Sequence, residues 1–458
     1  MTIRKIARDH LGVRLVMEQT AVLSAVGKKR LMQTPFVTQR AKLEAQFQLL
    51  ETTQQWVHSI DNLANINHLI SSIHDFLGTL TRLKRGEFMD DLDFFEIKRG
   101  GITMVQLKNE LEIAACPSFQ LRDVQPVVYH LDPENSGLPY FYIYSAYDPR
   151  LREKRKAYDQ SQDKEEKDRL FGEISHLENQ VRRELSITLR QYVASLEQNL
   201  ETIAELDLTL AKIKLAEGWG CCIPEIAESG IAYDGLFHPL VKERLEETGG
   251  KFQPIEIQLD TTPTLITGAN MSGKTIFLRS IALAQWMFQL GYFIPAQKAR
   301  IEPVEEIFIR QEEEESSEQG GLSSFASEIL WIDHIIQEVK KGKKSLILVD
   351  ELARTTNPTE GRGLVSAFIE IMKQHPNFAL ITTHYSGVEG ECRRLRVRGL
   401  QGIDPEVEIT PETIHQYMDY SLIESDEKEV PHEALTIAQI FKVDKEFLEL
   451  ANRYIAEN

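Results

Sequence analysis

Residues 265–275 read Leu-Ile-Thr-Gly-Ala-Asn-Met-Ser-Gly-Lys-Thr. Four of them, Gly268, Gly273, Lys274 and Thr275, match the spacing G-x-x-x-x-G-K-[ST] of a phosphate-binding loop. The glycines let such a loop wrap a polyphosphate with its backbone N–H groups pointing inward. The apolar residues before the loop predict a buried strand, and those after it predict a helix whose N-terminal end adds positive potential. This stretch therefore predicts a strand, loop and helix that together bind a nucleotide.

The residue types in the loop indicate how the nucleotide would be held. Lys274 would reach the β- and γ-phosphates, and the hydroxyl of Thr275 would ligate Mg²⁺. ATP and Mg²⁺ are accordingly the predicted cofactors. The predicted nucleotide-binding residues of the loop are Gly268, Ala269, Asn270, Met271, Ser272, Gly273, Lys274 and Thr275.

A second apolar run, Ser345–Val349, is followed directly by the carboxylates of Asp350 and Glu351. A short run of this kind is typical of a central strand in a parallel sheet. Asp350 would hold the magnesium together with Thr275, and Glu351 would act as the catalytic base that orients the attacking water.

A third apolar run, Phe378–Thr383, is followed by His384. A neutral imidazole at that position could hydrogen-bond the γ-phosphate or the attacking water, which makes His384 a second catalytic candidate. A structural histidine at the end of a strand is the alternative. Its place beside two other strand ends favours the catalytic interpretation.

Several motifs together resemble the ATPase domain of MutS-type proteins, which belong to the ABC class of ATPases. The resemblance covers residues 230–458 and implies an α/β domain with a mainly parallel sheet and closing helices. The segments that carry it are 237–241 (Phe-His-Pro-Leu-Val), 267–275, 292–298 (Tyr-Phe-Ile-Pro-Ala-Gln-Lys), 350–354 (Asp-Glu-Leu-Ala-Arg), 383–385 (Thr-His-Tyr), 431–438 and 443–454.

The resemblance implies a site that two subunits share. In this class a signature segment of one subunit closes over the nucleotide of the other, and residues 320–325 are its best match here. Ser323 or Ser324 would then approach the γ-phosphate in trans, with a second MutS-like subunit as partner in a homodimer or a heterodimer. The chain departs from the usual pattern at Leu322, where a basic residue is usual, and at Ala353 and Thr355, where glycines are typical.

The first half of the chain predicts a mostly α-helical core or lever domain, residues 1–217. Apolar residues repeat at helical spacing within 150–205, which predicts either a short coiled coil or amphipathic core helices. Residues 127–129 and 140–144 are rich in valine and tyrosine and predict short strands or an ordered loop. Gly218, Gly220 and Pro224 then mark the break before the ATPase domain, residues 230–458.

Composition and charge limit the class of protein. The N-terminal residues are charged throughout and no apolar stretch is long enough for a membrane span, so a cytoplasmic protein without a membrane partner is expected. The four cysteines have no metal-ligand spacing.

Residues 1–200 hold 27 basic and 27 acidic residues, and residues 201–458 hold 25 basic and 43 acidic residues. Any contact with a nucleic-acid backbone is therefore expected within the first 200 residues.

Two functions fit these observations. The first is a DNA-associated ATPase of the mismatch-repair or recombination type. The core-like helices begin near residue 20, so no mismatch-recognition domain is expected ahead of them. The Phe-x-Glu motif of that domain is matched twice, at Phe94–Glu96 and Phe447–Glu449, so the tripeptide has little specificity here. The second function is an ATP-driven reactivase of an adenosylcobalamin-dependent aminomutase, a role of short MutS-like proteins that the chain resembles.

Overall fold

The structure is a computed structural model that describes residues 1–268, 272–310, 324–354, 356–401, 410, 414–425 and 433–456. The chain divides into two compact units. Unit 1 consists of residues 1–16, 35–47 and 215–458, and unit 2 consists of residues 17–34 and 48–214. The predicted division at residues 217 and 230 stays a prediction. In the described residues no helix is both long and apolar enough to cross a membrane.

The chain is mixed α/β. The helices of the described residues are α1 Ile3–Asp9, α2 Leu11–Gln19, α3 Ala25–Met32, α4 Arg40–Ser59, α5 Leu63–Ser72, α6 Leu77–Arg85, α7 Asp91–Ile113, α8 Gln125–Leu131, α9 Pro149–Gln160, α10 Lys164–Arg190, α11 Val193–Trp219, α12 Pro239–Glu247, α13 Lys274–Gln289, α14 Ser324–Lys340, α15 Pro358–Gln374, α16 Glu433–Ile440 and α17 Lys445–Ala456. The strands are β1 Glu225–Ile226, β2 Ile231–Leu236, β3 Ile255–Leu259, β4 Thr264–Thr267, β5 Lys298–Ile301, β6 Glu306–Ile309, β7 Ser345–Val349, β8 Phe378–Thr383, β9 Arg393–Leu400 and β10 Met418–Glu424.

Unit 1 contains a six-stranded sheet with the strand order β10-β9-β4-β8-β7-β6. All neighbouring strands are parallel except β10, which pairs antiparallel with β9. The register aligns Thr267 at the end of β4 with Thr383 at the end of β8, and Val349 at the end of β7 with Ile381. The three loops that follow β4, β7 and β8 therefore leave the sheet at the same edge.

The central strands form because their residues are apolar on both faces. Every residue of β7 and β8 is buried, as expected for parallel strands covered by helices on both sides. Residues of α14 and α15 pack with these strands in one core cluster that includes Ile335, Phe368 and Ile369. The strands predicted at 264–267, 345–349 and 378–383 and the helix predicted after the loop are thus all present.

A second sheet in unit 1 has the strand order β1-β5-β2-β3. The chain segments 1–16 and 35–47 pack around the far end of α13. The side chain of Gln289 donates hydrogen bonds to the carbonyls of Val37 at 3.0 Å and Val304 at 2.7 Å. His10 lies against Trp286, and Phe47 stacks on Phe288. The helix that begins at the phosphate loop is thereby fixed at its other end.

Unit 2 is built from helices around one core cluster. The apolar positions of α10 and the first part of α11 belong to that cluster, among them Leu177, Leu185 and Leu196. The coiled coil stays a prediction. The short strand or ordered loop expected at residues 127–129 is wrong, because these residues lie in α8. Pro126 in the first turn starts this helix, and burial of Val127 outweighs its preference for a strand.

Candidate functional site

The predicted phosphate loop joins β4 to α13, and Gly273 is the residue before the helix. Gly273 has a φ of 78°, and a Cβ atom at this position would lie 3.1 Å from the ring of Tyr420. A Cβ atom on Gly268 would lie 2.9 Å from the hydroxyl of Ser272. The left-handed backbone favours glycine at position 273, and little free space is left for a side chain at position 268. Ala269, Asn270 and Met271 lie outside the described residues.

Lys274 begins α13 and its side chain is buried, with 4% exposed. Its ammonium donates a hydrogen bond to the carbonyl of Gly268 at 2.8 Å. The same ammonium lies 3.4 Å from a carboxylate oxygen of Glu351. The side chain thus bends back over the loop and brings its charge to the end of β7.

Asp350 accepts hydrogen bonds at both carboxylate oxygens. Thr275 donates to one oxygen at 2.5 Å, and Thr382 donates to the other at 2.7 Å. The hydroxyl of Thr382 also accepts the backbone N–H of Glu351 at 2.9 Å. These bonds join the first turn of α13 to the ends of β7 and β8, so that the two residues predicted to hold magnesium lie in direct contact.

Glu351 has an unusual backbone conformation. Its φ of 49° lies in the left-handed region, which costs a residue with a side chain on the order of 1–2 kcal/mol. The carboxylate lies between Lys274 and Arg354, whose Nε atom is 3.8 Å away. Strain of this kind is retained only where the surroundings over-determine it, as is common at functional sites.

The roles predicted for His384, Ser323 and Ser324 stay predictions. His384 follows β8 directly and is partly exposed, and its ring lies 4.3 Å from that of Tyr385. Its catalytic role stays a prediction. Ser323 lies outside the described residues, as does the side chain of Ser324, so the trans contact also stays a prediction.

The loop is suited to an anionic group. The hydroxyl of Ser272 is buried and has no hydrogen-bond partner among the described residues. A polar atom of this kind is normally satisfied, so it leaves a free donor at the loop. The N-terminal end of α13 and the ammonium of Lys274 supply positive potential at the same place. Thr275 and Asp350 offer the oxygen ligands that Mg²⁺ prefers. The residues present therefore fit a nucleotide with its magnesium ion.

An apolar cavity beside the loop was missed by the sequence reasoning. Its volume is about 210 Å³, and it opens next to Gly273 and Lys274. Burial raises the pKa of Tyr420, one of the lining residues. The walls come from segments far apart in the sequence, so no local pattern could reveal them. The other lining residues are Val241, Leu245, Lys251, Phe252, Gln253, Ile255, Ile266, Ser272, Ile276, Phe277, Val397, His415 and Leu422.

Comparison with known proteins identifies the region that carries this site. Residues 264–456 match the family model of MutS domain V. The chain is 36% identical over 229 residues to endonuclease MutS2 of Clostridium tetani, which is 49% of this chain and 28% of that protein. It is 35% identical over 204 residues to endonuclease MutS2 of Streptococcus sanguinis, with 44% and 25% covered.

A third relative carries a different name. The DNA mismatch repair protein MutS of Brevibacillus brevis is 35% identical over 211 residues, which is 45% of this chain and 24% of that protein. The chain thus spans about a quarter of the length of the curated relatives it matches.

Proposed function

Since the chain is a MutS-family protein, we propose that it binds ATP with Mg²⁺ at the loop 268–275 and hydrolyses it. One observation carries the proposal. Lys274, Thr275, Asp350 and Glu351 come from two segments 75 residues apart, yet direct contacts join them at one edge of the sheet. Phosphoryl transfer needs a phosphate-binding cation, metal ligands and a carboxylate for the water at one place, and this cluster supplies all three.

Each residue then has a distinct role. The backbone of the loop and the ammonium of Lys274 bind the β- and γ-phosphates. Thr275 and Asp350 would hold Mg²⁺, which supplies charge neutralisation of the phosphates. Glu351 orients the attacking water and accepts its proton, and His384 is a second candidate for a contact to the γ-phosphate or the water. The ammonium of Lys274 would exchange its contact with Glu351 for the phosphates.

The apolar cavity beside Gly273 is suited to the base of the nucleotide. Apolar walls and an aromatic ring favour a flat heterocycle, and Tyr420 lies directly against the glycine at which the phosphates would bind. The base and the phosphates would therefore lie on either side of the same turn.

The proposed partners follow from the family. A second MutS-like subunit would contribute Ser323 or Ser324 to a composite site, as a homodimer or a heterodimer. The helical residues 1–217 would form the core or lever domain, with the coiled coil in 150–205. A DNA-associated role in repair or recombination is supported by the names of the relatives.

A specific observation favours a second candidate role. The residues from 201 onward carry the whole formal charge of −18, which opposes a polyanionic substrate at the ATPase half. The alternative is therefore a reactivase that uses ATP to remodel an adenosylcobalamin-dependent aminomutase. Both roles require the same ATPase site.

The decisive experiment measures ATP binding by calorimetry and hydrolysis by phosphate release. Lys274→Ala should weaken ATP binding at least about 100-fold, because it removes a charge-assisted contact and leaves the carboxylate of Glu351 facing the phosphates. Lys373→Ala is the matched control, since this lysine of α15 forms an exposed ion pair with Glu391. Unaltered ATP affinity of Lys274→Ala would remove the loop from the proposed site.

A further inference from the structure

The turn that begins at Glu351 contains a second residue with a left-handed backbone conformation, and this residue is also not a glycine. Ala353 has a φ of 62°, two residues after the left-handed Glu351. Two such residues in a three-residue turn cannot persist unless neighbouring groups fix them. The turn itself supplies hydrogen bonds from the N–H of Arg354 to Glu351 and from the N–H of Thr356 to Ala353, at 3.2 and 3.1 Å.

Side chains from two other elements hold the peptide groups on either side of Ala353. The N–H of Ala353 donates to a carboxylate oxygen of Glu328 on α14 at 2.9 Å. The hydroxyl of Tyr385, which follows β8, donates to the carbonyl of Ala353 at 2.5 Å. Both the N–H and the carbonyl of the same strained residue are thus bound by side chains from outside the turn.

Tyr385 is itself held rigidly. Its ring is buried in the core cluster with Leu352 and Ala353. Its backbone N–H donates to the hydroxyl of Thr383 at 3.1 Å. A Cβ atom on Gly361 of α15 would lie 2.4 Å from the ring, so only glycine leaves room for it. The hydroxyl therefore has little freedom to leave the carbonyl of Ala353.

We propose that Glu328 and Tyr385 are positioning residues for the hydrolysis step: they clamp Ala353 in its left-handed conformation and so hold the carboxylate of Glu351 beside Lys274. The inference rests on the proposed ATPase function and deepens it. Without the clamp, Ala353 would relax toward its ordinary conformations and the preceding Glu351 would turn away from the site. ATP binding, which depends on the loop 268–275, would not change.

The first test removes one hydroxyl. Tyr385→Phe keeps the ring against Gly361 and loses only the bond to Ala353. It should lower kcat about tenfold, the effect of one well-aligned hydrogen bond on the barrier, and leave the ATP dissociation constant within about twofold. Tyr233→Phe is the matched control, because the buried hydroxyl of Tyr233 has no hydrogen-bond partner among the described residues. That control should keep the wild-type kcat.

The second test asks whether the lost rate comes from strain at residue 353. Glycine adopts the left-handed conformation without a steric cost, so Ala353→Gly should restore the Tyr385→Phe protein to within about threefold of the wild-type kcat. Glu328→Met, which has no acceptor for the N–H of Ala353, should lower kcat more than Glu328→Gln, which keeps an acceptor oxygen. Thermal unfolding confirms that each variant is folded.

The outcomes separate this inference from the proposed function. A wild-type protein that does not hydrolyse ATP overturns both. A wild-type protein that hydrolyses ATP while Tyr385→Phe keeps its kcat overturns the clamp alone. The clamp is also overturned if Tyr385→Phe loses ATP affinity in parallel with kcat, or if Ala353→Gly restores nothing, because general damage to the site would then account for the loss.

Discussion

The hydroxyl of Thr275 lies 2.5 Å from a carboxylate oxygen of Asp350. The first residue follows β4 and the second follows β7, and β8 lies between these two strands in the sheet. Thr382 at the end of β8 completes the connection by donating to the other oxygen of Asp350. The carboxylate of Asp350 thus connects the first turn of α13 with the end of β8, and the residue that it contacts on α13 is the one expected to share a magnesium ion with it.

Thr275→Val should reduce the effect of magnesium on ATP affinity. The substitution keeps the shape of the side chain and removes one oxygen ligand, so ATP affinity in the presence of Mg²⁺ should fall about tenfold. Affinity in EDTA should stay within about twofold. Calorimetric titration with and without Mg²⁺ measures both. Ser280→Ala is the control, because it removes a hydroxyl that donates to the carbonyl of Ile276 on the same helix. An equal loss in EDTA would assign Thr275 to the phosphates instead.

Glu351→Gln should bind ATP and fail to hydrolyse it. The amide cannot accept the proton of the attacking water, so kcat should fall at least about 100-fold. ATP affinity should be unchanged or higher, because the substitution removes a negative charge 3.4 Å from the ammonium of Lys274. Single-turnover hydrolysis and equilibrium binding separate the two effects. A wild-type rate for this variant would place the base elsewhere, with His384 as the next candidate.

Association should depend on ATP if a serine from a neighbouring subunit completes the site. ATP that binds a closed pair more tightly than separate subunits must stabilise the pair by linkage. Light scattering of Glu351→Gln with and without Mg-ATP measures the mass, and Lys274→Ala provides the control that lacks nucleotide. If saturating ATP leaves the mass of Glu351→Gln unchanged, then Ser323 and Ser324 do not act in trans.

The sequence could predict the parts of the site that lie on single elements. Gly268 to Thr275, Asp350 and His384 each follow a continuous apolar run, and such runs end at one edge of a parallel sheet for topological reasons. The cavity beside Tyr420 could not be predicted, because its walls meet only after β9 and β10 pair. The clamp on Ala353 depends on a tyrosine and a glutamate that are ordinary residues in sequence and become specific only through their distances.

Helix α8 shows a second limit of prediction from the sequence. Residues 127–129, Val-Val-Tyr, have the composition of a strand, yet they form a helix that starts at Gln125. Intrinsic preference differs between strand and helix by only about 1 kcal/mol over such residues, which packing of Val127 and Leu131 in the core of unit 2 easily exceeds.

A buried, hydrogen-bonded carboxylate in unit 2 should make stability depend on acidic pH. Lys98 is completely buried and lies 3.4 Å from Asp132. Burial alone would raise the pKa of Asp132, but hydrogen bonds from Ser136, Gly137 and Tyr144 lower this pKa from 3.8 to about 2. Because the pKa is lower in the folded state, the ionised carboxylate of Asp132 stabilises the fold at pH values above the unfolded pKa of 3.8. This contribution is lost as the pH falls through about 2.

Asp132→Asn should therefore be less stable than the wild type by at least about 2 kcal/mol at pH 7, and the difference should shrink between about pH 4 and pH 2. Urea unfolding at several pH values measures the free energy of unfolding. Asp159→Asn, at an exposed position near the end of α9, should change it little at any pH. A stability difference that is the same at pH 7 and pH 3 would show that the charge of Asp132 is not its source.

Salt dependence of DNA binding should decide between the two proposed roles. The first 50 residues hold nine basic and three acidic residues, and the cluster of Lys28, Lys29 and Arg30 is the densest part. The structure distinguishes among these three. Arg30 lies 2.5 Å from Glu205 and fixes α3 to α11, whereas Lys28 is exposed and Lys29 is 3.7 Å from Asp75. Arg30 should therefore stay, and only the two lysines should be changed.

If DNA is the substrate, affinity should fall with salt at a slope of about −0.9 per phosphate contacted. Lys28→Ala with Lys29→Ala should flatten this slope by about 1 to 2 and weaken all sequences alike, matched or mispaired. Lys340→Ala with Lys341→Ala, an equal loss of charge at the C-terminal end of α14, is the control. A reactivase would bind little DNA near about 150 mM salt, where screening is strong, and a protein partner would stimulate its ATPase instead. DNA-stimulated hydrolysis that survives such salt would exclude a purely protein-remodelling role.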